Sequence, residues 1–183
     1  MYAWPRVSSW IGGAVVGATS LAFAPVALAE EVIIDGADAP VLGYWQGEAA
    51  VAEKTIVSVE GQPFSQAVRV TTIEPSEPVW DIQVLSPNSI AEVEAGDELL
   101  VTFWARVEPV EGKTPQVTAI LQTDGGADYL TVIEPALSDE WTQFERRVTS
   151  EAAHGVDELA VVFHLGHVEQ TVEIADPRMI VVE

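Results

Sequence analysis

The stretch LLVTFWARVEP, Leu99–Pro109, reads as a β-strand with two unlike faces. Leu99, Val101, Phe103, Ala105 and Val107 alternate with Leu100, Thr102, Trp104 and Arg106. Strand side chains point alternately to opposite sides, so the first set shares one face and is apolar enough to bury. A strand that only had to be soluble would carry Thr, Lys or Glu on the other face. This one carries a large flat ring and, two residues on, a guanidinium. Two uses of that pair stand: a binding surface, or a second layer of packing.

The same alternation recurs outward from this stretch. Candidate strands are Val32–Asp35, Ala50–Val59, Ser65–Thr72, Trp80–Leu85, Glu98–Val107, Gln116–Thr123, Tyr129–Ile133, Thr142–Val148, Glu158–Leu165 and Gln170–Val182. They are separated by turn chemistry such as Glu60-Gly61-Gln62-Pro63, Pro75-Ser76-Glu77-Pro78, Asp124-Gly125-Gly126 and Asp176-Pro177. No segment shows a long helical stripe, so the spacing predicts an all-β fold, a sandwich or barrel. In WDIQVL, Trp80, Ile82 and Val84 share the apolar face and Gln83 the other. In QVTAILQT, Gln122 opposes Leu121, and in ELAVVFHLG, His164 opposes Phe163. If neighbouring strands share a sheet, Gln83, Trp104, Arg106, Gln122 and His164 line one surface of amide, guanidinium and imidazole groups beside a ring. Sugars suit such a surface: their C–H faces stack on aromatic rings and their hydroxyls pair with planar polar groups.

Composition bounds the function. The chain has 183 residues, the size of one domain. Arg6, an apolar run from Trp10 to Leu28 and the small-residue motif Ala27-Leu28-Ala29 read as a secretory signal peptide over residues 1–29, with the mature domain from Glu30 to Glu183. The expected location is secreted or periplasmic, with no membrane association after cleavage. There is no cysteine, so stability must come from packing or a bound ion. The formal charge of −21 repels phosphate backbones and disfavours nucleic acid as a partner. The acids are spread through strands, which makes solubility their plainest use.

Nothing in the motifs nominates an enzyme. A glycosidase needs two carboxylates at a set separation, but among 29 acids some pair always looks suitable. There is no G-x-S-x-G, no Ser–His–Asp set and no phosphate loop. His164 and His167 form H-x-x-H, which on a strand points the rings to opposite faces, and no third zinc ligand is evident.

The segments VEGQPFSQAVRVTT (Val59–Thr72), PVWDIQV (Pro78–Val84), AGDELLVTFWARV (Ala95–Val107), EWTQFERRV (Glu140–Val148) and FHLGHVEQTVEIADPRM (Phe163–Met179) come in an order that resembles carbohydrate-binding modules of families 4, 9 and 22, as attached to bacterial secreted xylanases. The resemblance covers nearly the whole mature chain. It implies a galactose-binding-domain-like jelly roll, that is, a two-sheet antiparallel β-sandwich, with polysaccharide of the xylan or β-glucan type bound in a concave cleft. It also implies a non-catalytic role beside an attached or partner glycoside hydrolase. A structural calcium is common in such domains; Asp176 stands where its last-strand ligand would be, and Asp35 or Asp38 is a candidate early partner. An Asp-Pro turn explains Asp176 equally well.

Candidate carbohydrate contacts are Gln83, Trp104, Arg106, Gln122, Tyr129, His164, Gln170 and Trp45. Trp104 either stacks a sugar or fills space under a loop. Arg106 reaches a hydroxyl or pairs with an acid. Trp45 lies in GYWQG, read as a Gly-bounded loop, and Tyr129 follows Gly-Gly-Ala-Asp at a cleft edge. Gln170 precedes the last strand as an amide contact. Trp80 is assigned to the core. If Trp104 is buried under a loop, the binding surface must lie with Trp45 and Tyr129 instead. The alternative functions are a structural β-sandwich of a cell-surface or periplasmic protein, and the N-terminal fragment of a xylanase-like enzyme.

Overall fold

The structure, a computed structural model, describes residues 30–182. The signal-peptide expectation falls on residues 1–29, outside the described residues. Eleven strands form two antiparallel sheets, as the alternation predicts. They are β1 (Glu31–Asp35), β2 (Gly43–Gln46), β3 (Val51–Ser58), β4 (Gln66–Glu74), β5 (Ile82–Leu85), β6 (Glu98–Glu108), β7 (Thr118–Thr123), β8 (Tyr129–Ile133), β9 (Thr142–Thr149), β10 (Leu159–His164) and β11 (Gln170–Val182).

The first sheet runs β3-β4-β11-β6-β9 and the second β2-β5-β10-β7-β8. Their facing sides carry the apolar residues of each alternation: Leu99, Val101, Phe103 and Ala105 from β6 meet Leu159, Val161 and Phe163 from β10, all buried in one core. Phe103 packs edge-on to Phe163 at 5.0 Å between ring centroids and stacks on Phe144 at 5.4 Å, the offset geometries that aromatic quadrupoles favour.

Strand β11 organises the first sheet. Its first half, Gln170–Ile174, pairs with β4, and its second half pairs with β1 through Arg178–Val181, while β6 runs along its other edge. The change of partner sits at a bulge between Ala175 and Arg178. There Asp176 takes φ 50°, a conformation that Asp tolerates better than most residues. Gly36 closes the bulge by donating its N–H to the Pro177 carbonyl at 2.9 Å. A β-carbon on Gly36 would sit 2.6 Å from Pro177.

Two elements differ from the sequence reading. Residues 43–46, expected as loop, form the edge strand β2, paired with β5 from Gly43↔Leu85 to Gln46↔Ile82. Its four residues, Gly43 among them, give too short a pattern to register as a strand. Conversely, the strand expected from Trp80 begins at Ile82. Residues Val79–Asp81 are a 3₁₀ turn, so the period-two pattern does not extend back to Trp80.

Candidate functional site

The two outer faces of the sandwich carry the polar and aromatic halves of the alternation, and they separate the predicted residues. On the second sheet, Trp45, Gln83 and His164 stand in one register row across β2, β5 and β10. Leu85, Val162 and Ile120 form the next row, and Ala160 and Gln122 the one after, with Tyr129 opposite Gln122 on β8. These rows floor and flank a cleft of about 610 Å³. Spanning five strands at about 4.8 Å spacing, it crosses roughly 19 Å from β2 to β8. Leu85, Ala160 and Val162 make its apolar floor, while Trp45, Trp80 and Tyr129 rise at its sides. All three rings are about half exposed, at 46%, 50% and 54%.

Trp80, assigned to the core from its place in WDIQVL, is therefore a cleft residue. The 3₁₀ turn rotates it off the inner face that Ile82 and Val84 occupy at full burial. The available signal was Pro78, since the residues around a proline seldom continue a regular strand ladder. Gln83 donates its amide N–H to the Trp80 carbonyl at 2.7 Å, which holds its carboxamide beside the turn. At the far side Asn88, Thr123, Gly125 and Gly126 complete the rim. Gly126, at φ 71°, brings the loop against the Gln122 amide: a β-carbon there would lie 3.3 Å from Nε2.

His164 is buried at the cleft floor, its ring 6.4 Å from that of Trp80. Burial lowers its pKa from the usual value, and the neighbouring His167 lowers it further. His167 is also lowered by burial, partly opposed by Glu134, and shares a 3.0 Å hydrogen bond with the Thr118 hydroxyl. Among the described residues, then, the side chains lining the cleft carry no fixed charge, and His164 is neutral at pH 7.

Trp104 and Arg106 lie on the other sheet, so the expectation that they share a surface with Gln83, Gln122 and His164 is corrected. The alternation does place all five on outer faces, but β6 belongs to the first sheet and β5, β7 and β10 to the second. Trp104 packs with Phe64, which the loop between β3 and β4 folds onto the sheet. Phe64 in turn meets Trp141 edge-on at 4.9 Å. Arg106 lies 5.0 Å over the Trp141 ring and donates to the Glu173 carboxylate at 2.6 Å. Arg69 holds the other oxygen of Glu173 and also meets Glu108 at 2.6 Å. Glu173 is only 1% exposed. Burial penalises its charge, but the two guanidinium hydrogen bonds outweigh that penalty and keep its pKa below the usual carboxylate range.

Gln170 is likewise not in the cleft. It is buried, accepts the Gln116 N–H at 2.9 Å, and donates to the Gln116 carbonyl at 2.8 Å and to the Leu165 carbonyl at 3.1 Å. Its amide is used up on the backbone and ties the segment before β7 to β11.

Of the calcium pair, Asp176 meets Arg178 at 2.5 Å and Asp35 accepts the Ala37 N–H at 3.1 Å. Calcium takes six to eight oxygen ligands. Among the described residues no group of three or more His, Cys, Asp or Glu is placed to hold a metal. Of the two carboxylates, Asp176 is already paired with a guanidinium.

No family model matches the chain, and no curated protein matches it. Solved structures do. A family 4 carbohydrate-binding module (CBM4) superposes with a TM-score of 0.58 at 17% identity, covering 83% of this chain and 95% of that one. The xylan-binding CBM22-1 domain of Paenibacillus barcinonensis Xyn10C gives 0.54 at 10% identity, covering 85% and 97%. The CBM22-1–GH10 modules of Clostridium thermocellum endo-1,4-β-D-xylanase 10B, complexed with xylohexaose, give 0.52 at 10%, covering 84% of this chain and 29% of that one. The chain has the two-sheet antiparallel jelly-roll fold of these carbohydrate-binding modules.

Proposed function

We propose that the protein is a secreted, non-catalytic carbohydrate-binding module. It takes an uncharged polysaccharide of the xylan or β-glucan type in the cleft across the second sheet. The observation that carries this reading is the pairing of three half-exposed rings, Trp45, Trp80 and Tyr129, with uncharged hydrogen-bonding groups around an apolar floor. Bare rings cost free energy in water and gain most by covering the C–H face of a pyranose. Gln83, Asn88, Gln122 and neutral His164 supply both donors and acceptors for hydroxyls. A uronate or sulfate ester finds no cation among the described lining residues, and the net charge of −21 repels it further.

The role that follows is to hold a glycoside hydrolase near its substrate by raising effective concentration. The fold's occurrence beside a GH10 module in the Clostridium enzyme supports that arrangement. Affinity electrophoresis against xylans, glucans and mannans, with pectate as a charged control, tests the reading. Retardation by a neutral glycan, weakened roughly tenfold in Trp80→Ala and kept in Trp104→Ala, is the expected result. A folded protein retarded by none of them sinks it.

A further inference from the structure

Trp80, one of the cleft's three rings, is carried by one short turn held between two glycines. Residues Val79–Asp81 carry Trp80. On one side Gly166, just past β10, donates its N–H to the Val79 carbonyl at 3.1 Å and accepts the Ser76 N–H at 2.9 Å. On the other side Gly47, two residues after Trp45, donates to the Asp81 carbonyl at 2.8 Å. Both glycines are needed for space. A β-carbon on Gly166 would collide with Ser76 Oγ and lie 2.6 Å from the Val79 carbonyl oxygen, the group next to Trp80 in the chain. A β-carbon on Gly47 would lie 2.7 Å from Asp81 Cγ and 2.9 Å from Oδ2. Ser76 Oγ, pressed against the bare Cα of Gly166, is buried and has no hydrogen-bond partner among the described residues. A serine hydroxyl left unsatisfied is a cost that close docking of this loop has to offset.

We propose that Gly47 and Gly166 are positioning residues for glycan binding. They clamp the turn so that the Trp80 ring stands at the side of the cleft, 6.4 Å from His164, before any ligand arrives. This rests on the glycan-binding reading and adds its mechanism: pre-organisation of an aromatic wall through bare backbone contacts. Order present beforehand does not have to be paid for on binding, which raises affinity without a new contact.

Because Val79 is backbone, Gly166→Ala displaces the turn itself. The expected loss is on the order of tenfold in affinity for the retarding neutral glycan, comparable to Trp80→Ala. The loss vanishes in a Trp80→Ala background, because there is no ring left to misplace. Gly47→Ala collides with the Asp81 carboxylate instead, and only the Asp81 β-carbon, at 3.1 Å, remains in Asp81→Ala, so that change in the same chain is expected to restore most of the binding. A second readout needs no ligand: the Trp80 indole N–H resonance, assigned with Trp80→Phe, should shift or broaden in Gly166→Ala while that of Trp141 does not. Normal binding by Gly166→Ala, an equal loss in the Trp80→Ala background, or an unchanged Trp80 resonance would each overturn the clamp. Should Gly166→Ala fail to fold, the Gly47→Ala and Asp81→Ala pair decides by presence or absence of rescue. If the wild type binds no glycan, the glycan-binding reading fails, and the indole resonance still judges the clamp.

Discussion

The two outer faces of this sandwich are built from the same alternation and put to opposite uses. On the first sheet Trp104, Trp141, Arg69 and Arg106 all find partners within the chain. Phe64 folds over Trp104, Trp141 sits beneath Arg106, and Arg69 and Arg106 share one buried carboxylate. On the second sheet the rings stand half bare around a neutral floor. The difference lies in the connections. The β3–β4 loop delivers Phe64 onto the first sheet. On the second, the Val79–Asp81 turn and the Gly125–Gly126 loop reach only the rim. A loop that covers rings converts them to core; one that stops at the edge leaves a groove.

That contrast breaks most sharply at Glu173. Glu173→Ala strips a 1%-exposed carboxylate from between two guanidiniums and leaves like charges facing each other. Losing one member of a buried ion pair costs 3–5 kcal/mol; because both arginines are about one-third exposed and can rehydrate, about 2–3 kcal/mol is expected here. Urea unfolding measures it, and glycan retardation should not change.

Trp104→Ala comes next. The ring is only partly covered, so the loss should fall below that of a fully buried tryptophan, at about 2 kcal/mol, again with binding intact. A loss of retardation at full stability would reverse the roles of the two faces.

Tyr129→Ala tests the other side of the comparison. Its ring is 54% exposed, so unfolding stability should move by no more than about 0.5 kcal/mol. Retardation should weaken several-fold.

The smallest effect is a pH dependence that distinguishes the faces by window. His164 and Glu173 both have folded pKa values below their ordinary ones, so for each the unfolded chain takes up its proton first on acidification. The stability each contributes is complete above the ordinary value and is lost as pH falls toward the folded one. For His164 the loss begins near 6.5 and for Glu173 near 4.5. Thermal melts of His164→Gln should lack part of the first decline and those of Glu173→Gln part of the second. If His164→Gln melts track the wild type below pH 6.5, the buried imidazole is not a stability-linked group.

How much of this was readable in the chain depends on range. Period-two alternation is local, and it located ten strands and sorted Phe103 from Trp104, Phe163 from His164 and Ile82 from Gln83 correctly between inner and outer faces. It missed β2, whose four residues hold too little pattern, and it carried Trp80 inward because the 3₁₀ turn leaves no mark in hydrophobic spacing. Of the eight candidate contacts, Trp45, Gln83, Gln122, Tyr129 and His164 meet in one cleft. Trp104, Arg106 and Gln170 do not.

What the sequence determined by itself was therefore the all-β class and which side of each strand faces in, because both follow from neighbours two residues apart and the cost of exposing apolar groups. Which outward faces join was decided only in three dimensions. Pairing β6 with β11 and β10 with β5 is a choice among distant segments, and it alone separates Trp104 from His164 by the full thickness of the core. Read from the sequence, Trp80 goes to the core and Trp104 is a candidate ligand contact. Tertiary structure reverses this: the β3–β4 loop packs Phe64 onto Trp104, while the 3₁₀ turn leaves Trp80 half exposed at the side of the groove.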